Sequence, residues 1–142
     1  MKKLTRTELK SELMNVGIRP SVQRLAIYEF VRMSNAHPTA EAVYEALREE
    51  LGSLSLTTVY NTLNLYTYAG LILTLNIADG FLHYDGDTSL HAHFRCSSCG
   101  AIHDLAVKGD YSNWFEGSGD FSVTEAQLYL KGLCPKCKSC KN

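Results

Sequence analysis

The fold of this chain is decided by residues 55–84, whose sequence is SLTTVYNTLNLYTYAGLILTLNIADGFLHY. Ser55 is a favourable N-cap residue and Gly70 is a typical C-terminal stop, so the first half of this stretch predicts a helix from Leu56 to Ala69. The apolar residues at helical spacing, which we expect to face inward, are Val59, Leu63 and Tyr66. The second half contains two β-prone runs around an Asp-Gly pair, and this pattern predicts a β-hairpin.

Helical periodicity predicts three further helices before this stretch. Their inward-facing residues, in chain order, are Leu9, Leu13 and Val16, then Leu25, Tyr28 and Val31, and finally Val43, Ala46 and Leu47. Gly17 stops the first helix, Ser21 caps the second, and Gly52 closes the third, which follows Pro38-Thr39. Short helices followed by a hairpin make a winged helix-turn-helix, in which the helix before the hairpin enters the major groove of DNA.

The predicted recognition helix carries small or polar side chains that suit base edges and phosphates. They are Thr57, Thr58, Tyr60, Asn61 and Asn64. The alternative interpretation is a polar helix face of no special use, and Tyr60 can also belong partly to the core.

Composition is less informative than the distribution of charge. The 142-residue chain has a net charge of −1, but residues 1–32 carry +4 and residues 33–85 carry −5. We expect the basic segment, with Arg19 and Arg24, to contact phosphates, although an ordinary solvated surface is the alternative. No apolar run approaches the roughly 18 residues of a membrane helix, so we expect a cytoplasmic protein without a membrane partner.

Two C-x-x-C pairs, Cys96/Cys99 and Cys134/Cys137, are separated by 34 residues. Two intervening residues allow both sulfurs of a pair to reach one ion, whereas the reducing cytoplasm disfavours disulfides. Four thiolates make a closed tetrahedral site, which predicts a structural Zn²⁺ that contributes folding energy. A redox-active thiol switch is the alternative. Cys140 is either a free thiol or a substitute ligand.

A second group of potential metal ligands lies next to the first cysteine pair. His91 and His93 stand two apart on a predicted strand, so both imidazoles leave the same face. Read in isolation, His37 is most simply a surface histidine, and Asp85 closes the hairpin. Imidazole and carboxylate ligands without sulfur suit Fe²⁺, Mn²⁺, Co²⁺ or Zn²⁺, so ligand type alone does not select the ion.

The pairing of the next strand decides which side chain joins the two histidines. If the turn is centred between the cysteines of the first pair, paired residue numbers sum to 195 and His91 faces Asp104. A bulge at Gly100 would slip the register by one and exchange the roles of His103 and Asp104. Strand geometry alone leaves both registers open.

Three motifs together resemble the ferric uptake regulator (Fur) family: SLTTVYNTL at 55–63, HAHFRCSSCG at 91–100 and YLKGLCPKC at 129–137. The resemblance covers nearly the whole chain and implies an α+β protein that represses transcription as a metal-responsive homodimer on a double-stranded DNA operator. It implies a winged-helix DNA-binding domain in residues 1–84 and an α/β dimerisation and metal-binding domain in residues 85–142. The hinge is expected near residues 85–90.

Within this family the chain looks most like the peroxide-sensing PerR branch. The regulatory metal ligands of that branch match His37, Asp85, His91, His93 and Asp104. Aspartate rather than glutamate at position 104 is the diagnostic feature of the branch, and it favours the register that places Asp104 with the histidines. The resemblance implies regulatory Fe²⁺ or Mn²⁺, with iron-dependent oxidation of His37 or His91 by hydrogen peroxide.

Two features depart from the family pattern. Ala92 and Ala126 occupy positions that supply ligands to an additional Fur-type metal site, so we expect that site to be absent. The segment from Leu105 to Gly119 is shorter and richer in glycine than is usual in the family, and the dimerisation helix that the resemblance implies is expected at Asp110 to Glu116.

Two rival functions follow from the same ligands. A regulator that senses iron, zinc or manganese supply is the nearer rival. A non-haem iron enzyme is the more distant one, because an open position on a histidine/carboxylate iron site can activate oxygen. No cosubstrate motif accompanies the ligands, so we expect neither an enzyme nor an organic substrate.

Overall fold

The computed structural model describes residues 3–78, 80–110 and 114–140. The chain divides into two compact units, of which the first ends at Thr88 and the second begins at Ser89. The first unit contains four helices followed by a hairpin, and the second contains a three-stranded sheet and a short helix. The α+β class expected from the sequence is confirmed.

The four helices of the first unit are α1 (Arg6–Asn15), α2 (Val22–Met33), α3 (Ala40–Leu47) and α4 (Leu56–Tyr68). Each begins after a hydroxyl N-cap whose side chain accepts a backbone N–H from the first turn, and these caps are Thr5, Ser21, Thr39 and Ser55. Such caps satisfy N–H groups that a helix leaves unpaired, so the helix starts are determined locally.

One core joins these helices and the strand that follows them. Its largest fully buried side chains include Tyr28, Tyr66 and Tyr84. The Tyr28 and Tyr66 ring centroids are 5.3 Å apart, and the Tyr66 hydroxyl donates to the Arg24 carbonyl at 2.6 Å, which ties α4 to α2. The predicted inward positions on α4, Val59, Leu63 and Tyr66, are confirmed.

Three details of the predicted helices are wrong. Val16 is 42% exposed, because α1 ends at Asn15 and the positive φ of Gly17 (79°) turns the chain so that Ile18 enters the core instead. Helix α3 ends at Leu47 rather than at Gly52, and Ala46 is exposed. The segment after α3 continues in turns that carry Leu54 into the core.

The predicted hairpin is formed by β1 (Leu73–Ala78) and β2 (Phe81–Asp85), which pair antiparallel. Asp79, in the predicted turn, lies outside the described residues. Strand β2 packs against α2 and α3, and the Tyr84 N–H donates to the Pro38 carbonyl at 2.9 Å. The hairpin is therefore held against the helices by both packing and backbone hydrogen bonds.

The sheet of the second unit has the order β4-β3-β5, where β3 is His91–Cys96, β4 is Ile102–Ala106 and β5 is Leu128–Gly132. Strand β3 pairs antiparallel with β4 and parallel with β5. Helix α5 (Pro135–Ser139) follows β5. Residues 111–113 of the predicted helix from Asp110 to Glu116 lie outside the described residues, and its described remainder is not helical.

The predicted register between β3 and β4 is wrong by two residues. The observed partners sum to 197, so His93 faces Asp104 and His91 faces Ala106. The turn is longer than predicted because Gly100, with a φ of 75°, belongs to it: the Cys96 N–H donates to the Ala101 carbonyl at 2.9 Å. A shift of two preserves the side of the sheet, so Asp104 still shares a face with both histidines.

No helix in the described part of the chain is long and apolar enough to cross a membrane.

Candidate metal centres and nucleic-acid interface

The four cysteines of the two C-x-x-C pairs come together at one end of the second sheet. Cys96 ends β3, Cys99 lies in the turn after it, Cys134 is the N-cap of α5, and Cys137 lies within that helix. Their sulfurs all lie within 4.8 Å of one another, and Cys99 Sγ is 3.9 Å from Cys134 Sγ. A tetrahedral ZnS₄ group with bonds of about 2.3 Å has sulfurs roughly 3.8 Å apart, so the predicted cluster is confirmed and fits zinc.

The cysteines of the cluster differ in pKa, because their sulfurs have different hydrogen-bond partners. The Cys134 N–H donates to Cys96 Sγ at 3.4 Å, and this bond, with others from the Cys99 backbone, lowers the pKa of Cys96 to about 5. Hydrogen bonding to Cys134 and Cys96 raises the pKa of Cys137 to about 12. Backbone N–H groups that point at a sulfur stabilise its thiolate, the form that binds metal. Cys140 is exposed and lies outside the cluster.

In the first unit, His37 and Asp85 form a buried pair. The His37 Nε2 atom is 3.5 Å from Asp85 Oδ2, and both side chains are more than nine-tenths buried. The second carboxylate oxygen, Oδ1, accepts the Asp87 N–H at 2.9 Å. This bond orients the carboxylate, as supporting hydrogen bonds commonly do for metal ligands.

In the second unit, His91, His93 and Asp104 share one face of the sheet. Both imidazole Nε2 atoms lie 3.5 Å from the same oxygen, Asp104 Oδ1. The His91 Nδ1–H donates to the Ser89 carbonyl at 2.7 Å, which fixes the tautomer that leaves Nε2 as the ligand atom. His103 faces the opposite side and lies beside Phe94, so it is not part of this group.

The two units therefore supply two groups of ligands with the same chemistry. His37 and Asp85 lie in the first, whereas His91, His93 and Asp104 lie in the second. Each group offers imidazole nitrogen and carboxylate oxygen without sulfur, which suits a divalent first-row transition metal rather than a thiolate-bound one.

The predicted DNA-facing side of α4 is partly accessible. Thr57, Asn61 and Asn64 are exposed, whereas Thr58 and Tyr60 are half-buried. The Tyr60 hydroxyl donates to the carboxylate of Glu41 on α3. No local pattern in the sequence predicts this partner, because the two residues are 19 positions apart.

A surface cavity of about 230 Å³ lies where α2 meets α4. Its lining includes Ser21 and Arg24 from the start of α2 and Thr58 and Asn61 from α4. The Arg24 guanidinium donates to the Arg19 carbonyl at 3.0 Å, which holds this cation beside the cavity. The predicted DNA-contacting residues Arg24, Thr58 and Asn61 therefore lie together, whereas Tyr60 lies beyond this cavity, toward α3.

Residues 15–130 match the model of the ferric uptake regulator family, and the chain belongs to that family. A relative, the peroxide operon regulator of Bacillus subtilis, is 34% identical over 137 residues that cover 95% of this chain and 94% of that protein. The ferric uptake regulator of Helicobacter pylori shares the fold over the full length of both chains, with a TM-score of 0.77 and 19% identity. The Campylobacter jejuni peroxide stress regulator has a TM-score of 0.70 at 27% identity, over 92% of this chain and 97% of that chain.

Proposed function

We propose that this chain is a homodimeric transcriptional repressor that senses hydrogen peroxide through a regulatory iron site and acts on DNA in the cytoplasm. The observation that best supports this proposal is that one carboxylate oxygen of Asp104 lies equally close to His91 Nε2 and His93 Nε2. Aspartate at this position is what the resemblance to the peroxide-sensing branch implies, and a peroxide operon regulator is among the relatives.

DNA binding is assigned to the first unit. Four helices followed by a hairpin have the order of a winged helix-turn-helix, with α4 as the recognition helix. Exposed Thr57 and Asn61 would meet base edges, whereas Arg24 would meet phosphate. Salt should weaken this binding steeply, since phosphate contacts release counterions.

Dimerisation is assigned to the second unit. Strand alternation places Leu105 and Leu130 on the sheet face opposite His91 and His93, and both are more than a third exposed. Exposed apolar groups on one sheet face favour association with another protein surface. A second copy of the chain is the partner that the family implies.

The four-cysteine cluster is proposed to hold structural Zn²⁺. The buried apolar residues of the second unit are few in the described structure, so a metal cross-link would supply much of its stability. We expect Cys96→Ser or Cys134→Ser to unfold or monomerise this unit, whereas Cys140→Ser, the matched control, changes little. Zinc content and sedimentation measure both effects, and a folded zinc-free dimer from either ligand variant contradicts the assignment.

The regulatory site is proposed to be one ion bound by His37, Asp85, His91, His93 and Asp104. These residues come from both units, so their joint binding would couple metal occupancy to the spacing of two recognition helices on an operator. If bound there, Fe²⁺ would activate hydrogen peroxide: in the net reaction one peroxide oxygen is added to an imidazole carbon, the other leaves as water, and the imidazole is the two-electron reductant. The chain contributes the orientation of the ligands and the imidazole, of His37 or His91, that gains one oxygen atom.

A titration of operator binding by the Fe²⁺ and Mn²⁺ forms, with and without peroxide, tests this function. The Fe²⁺ form should release DNA after peroxide treatment and gain 16 Da, the mass of one oxygen atom, in a peptide containing His37 or His91. The Mn²⁺ form should stay bound. Equal responses of the two forms would instead favour a sensor of metal supply, and steady turnover of an organic substrate would favour an enzyme.

A further inference from the structure

The backbone of His37 is held in an unusual conformation. Its φ is 50°, and it is the one non-glycine residue with a positive φ among those described. Left-handed backbone is uncommon for a residue with a side chain, and a residue before proline, as His37 is, prefers extended backbone. Such a conformation persists only where the surroundings hold it in place.

Strand β2 supplies the contacts that hold it. The His83 Nδ1–H donates to the His37 carbonyl at 2.6 Å, and the next residue, Tyr84, donates its N–H to the Pro38 carbonyl at 2.9 Å. Two successive carbonyls of the loop are therefore fastened to two successive residues of β2. The carbonyl oxygen can only accept, so Nδ1 of His83 carries the proton of this hydrogen bond.

The same strand also faces the His37 side chain. His83 and Asp85 are two apart on β2, so their side chains leave the same face of the hairpin. Asp85 Oδ2 lies 3.5 Å from His37 Nε2, while His83 binds the His37 backbone. One strand face thus holds His37 at both its carbonyl and its imidazole.

We infer that His83 is a positioning residue for the regulatory metal site: its Nδ1–H holds the His37 loop in the strained backbone conformation that aims the His37 imidazole at Asp85. The inference rests on the proposed function, in which His37 and Asp85 are metal ligands. His83 is not among the five proposed ligands or the residues grouped as potential metal ligands in the described structure, and its effect passes through the backbone of His37.

Substitutions at His83 separate the hydrogen bond from the bulk of the ring. His83→Ala removes the donor. His83→Asn keeps an N–H donor at the same number of bonds from Cβ as Nδ1. Leu82→Ala is the matched control, because Leu82 lies on the same strand, its side chain leaves the face opposite that of His83, and it is 43% exposed.

The first measurement is the Mn²⁺ affinity of the zinc-loaded protein, from the electron paramagnetic resonance of free Mn²⁺. Loss of a group that orients a metal ligand weakens metal binding by about 10- to 100-fold, so we expect His83→Ala to bind at least tenfold more weakly. His83→Asn should recover most of that loss, and Leu82→Ala should match the wild type. Wild-type affinity in His83→Ala overturns the inference, and so does equal weakening in His83→Ala and His83→Asn.

The second measurement is amide hydrogen exchange at Tyr84 in the protein without a regulatory metal. Exchange should accelerate in His83→Ala, as the loop that accepts the Tyr84 N–H loosens, and stay near the wild-type rate in His83→Asn. If the wild-type protein binds no Mn²⁺, the proposed function fails. The exchange rate of the Tyr84 amide then tests the positioning role of His83 by itself. Unchanged exchange in His83→Ala would then refute the positioning role.

Discussion

Gly86 lies directly against the backbone of Arg32: a Cβ at Gly86 would stand 2.7 Å from Arg32 Cα and 2.8 Å from the Val31 carbonyl oxygen. The Arg32 guanidinium donates to the Gly86 carbonyl at 2.7 Å, so side chain and backbone both hold the end of the hairpin against α2. Asp85 immediately precedes this contact. The absence of a side chain at position 86 therefore determines how closely Asp85, a proposed metal ligand, approaches α2.

Gly86→Ala should destabilise the first unit, because its methyl group meets rigid backbone rather than a movable side chain. Overpacking of this kind lowers the free energy of unfolding by about 1–3 kcal/mol. Gly52→Ala is the matched control, since Gly52 has open space around its Cβ position and should change stability by less than about 0.5 kcal/mol. Denaturant unfolding of the two variants measures the difference, and equal stabilities would show that α2 can move aside.

Tyr60→Ala should weaken operator binding by about 1–3 kcal/mol, the usual scale for a base-reading contact, without unfolding the protein. Tyr60 is half-buried on α4, and its hydroxyl donates to the carboxylate of Glu41 on α3. Tyr68→Ala is the control on the same helix, because Tyr68 is 94% exposed and lies near the far end of α4. Fluorescence anisotropy with a labelled operator compares the two, and a Tyr60→Ala variant that binds like the wild type would assign Tyr60 to the core.

Zinc binding to the metal-free protein at pH 7 should release no more than three protons from the four cysteines. Cys96 has a pKa of about 5 and is already a thiolate at this pH, so it contributes none. Cys137 has a pKa of about 12 and must lose its proton to bind. Calorimetry in buffers of different ionisation enthalpy gives the count.

The Cys140→Ser variant should give the same proton count, because Cys140 lies outside the cluster. Below pH 5 the Cys96 thiol also becomes protonated, so zinc affinity should fall more steeply with pH there than between pH 7 and 5. Release of four protons at pH 7 would contradict the low pKa of Cys96.

Asp104→Glu should retain metal-dependent DNA binding but blunt the response to peroxide. The longer side chain would move the carboxylate that lies 3.5 Å from both His91 and His93, and so alter the ligand geometry around Fe²⁺. We expect half-release of the operator to need about tenfold more peroxide, the scale of other changes near metal ligands. Cys140→Ser, at an exposed residue outside both ligand groups, should respond like the wild type, and an unaltered response of Asp104→Glu would mean that the aspartate does not tune the reaction.

Local signals were sufficient for much of the first unit. Ser21 and Ser55 are the N-caps of α2 and α4, as predicted. Gly17 and Gly70 have the positive φ expected of residues that end helices. The reason is that capping and helical periodicity act over three or four residues. The prediction that Val16 faces inward was wrong, because the end of a helix changes the direction of the chain within the same few residues.

The candidate site was predicted where residue types and spacing suffice. The two C-x-x-C pairs indicate a cluster because two intervening residues already bring both sulfurs to one point. The common face of His91 and His93 also follows from strand alternation. Strand geometry left open whether Asp104 or His103 joins them, and the family resemblance favoured Asp104. The register was wrong by two, and a shift of two returns Asp104 to that face.

The sequence by itself thus determined the starts of α2, α3 and α4, the cysteine cluster and the common face of His91 and His93. Only the tertiary structure decided the β3–β4 register, the contact of Gly86 with Arg32 and the bond from His83 to the carbonyl of His37, 46 residues away. Those features depend on which distant segments pack together. The free energy gained by burying the whole core selects that packing. This free energy comes from contacts between distant segments, so no short stretch of sequence predicts it.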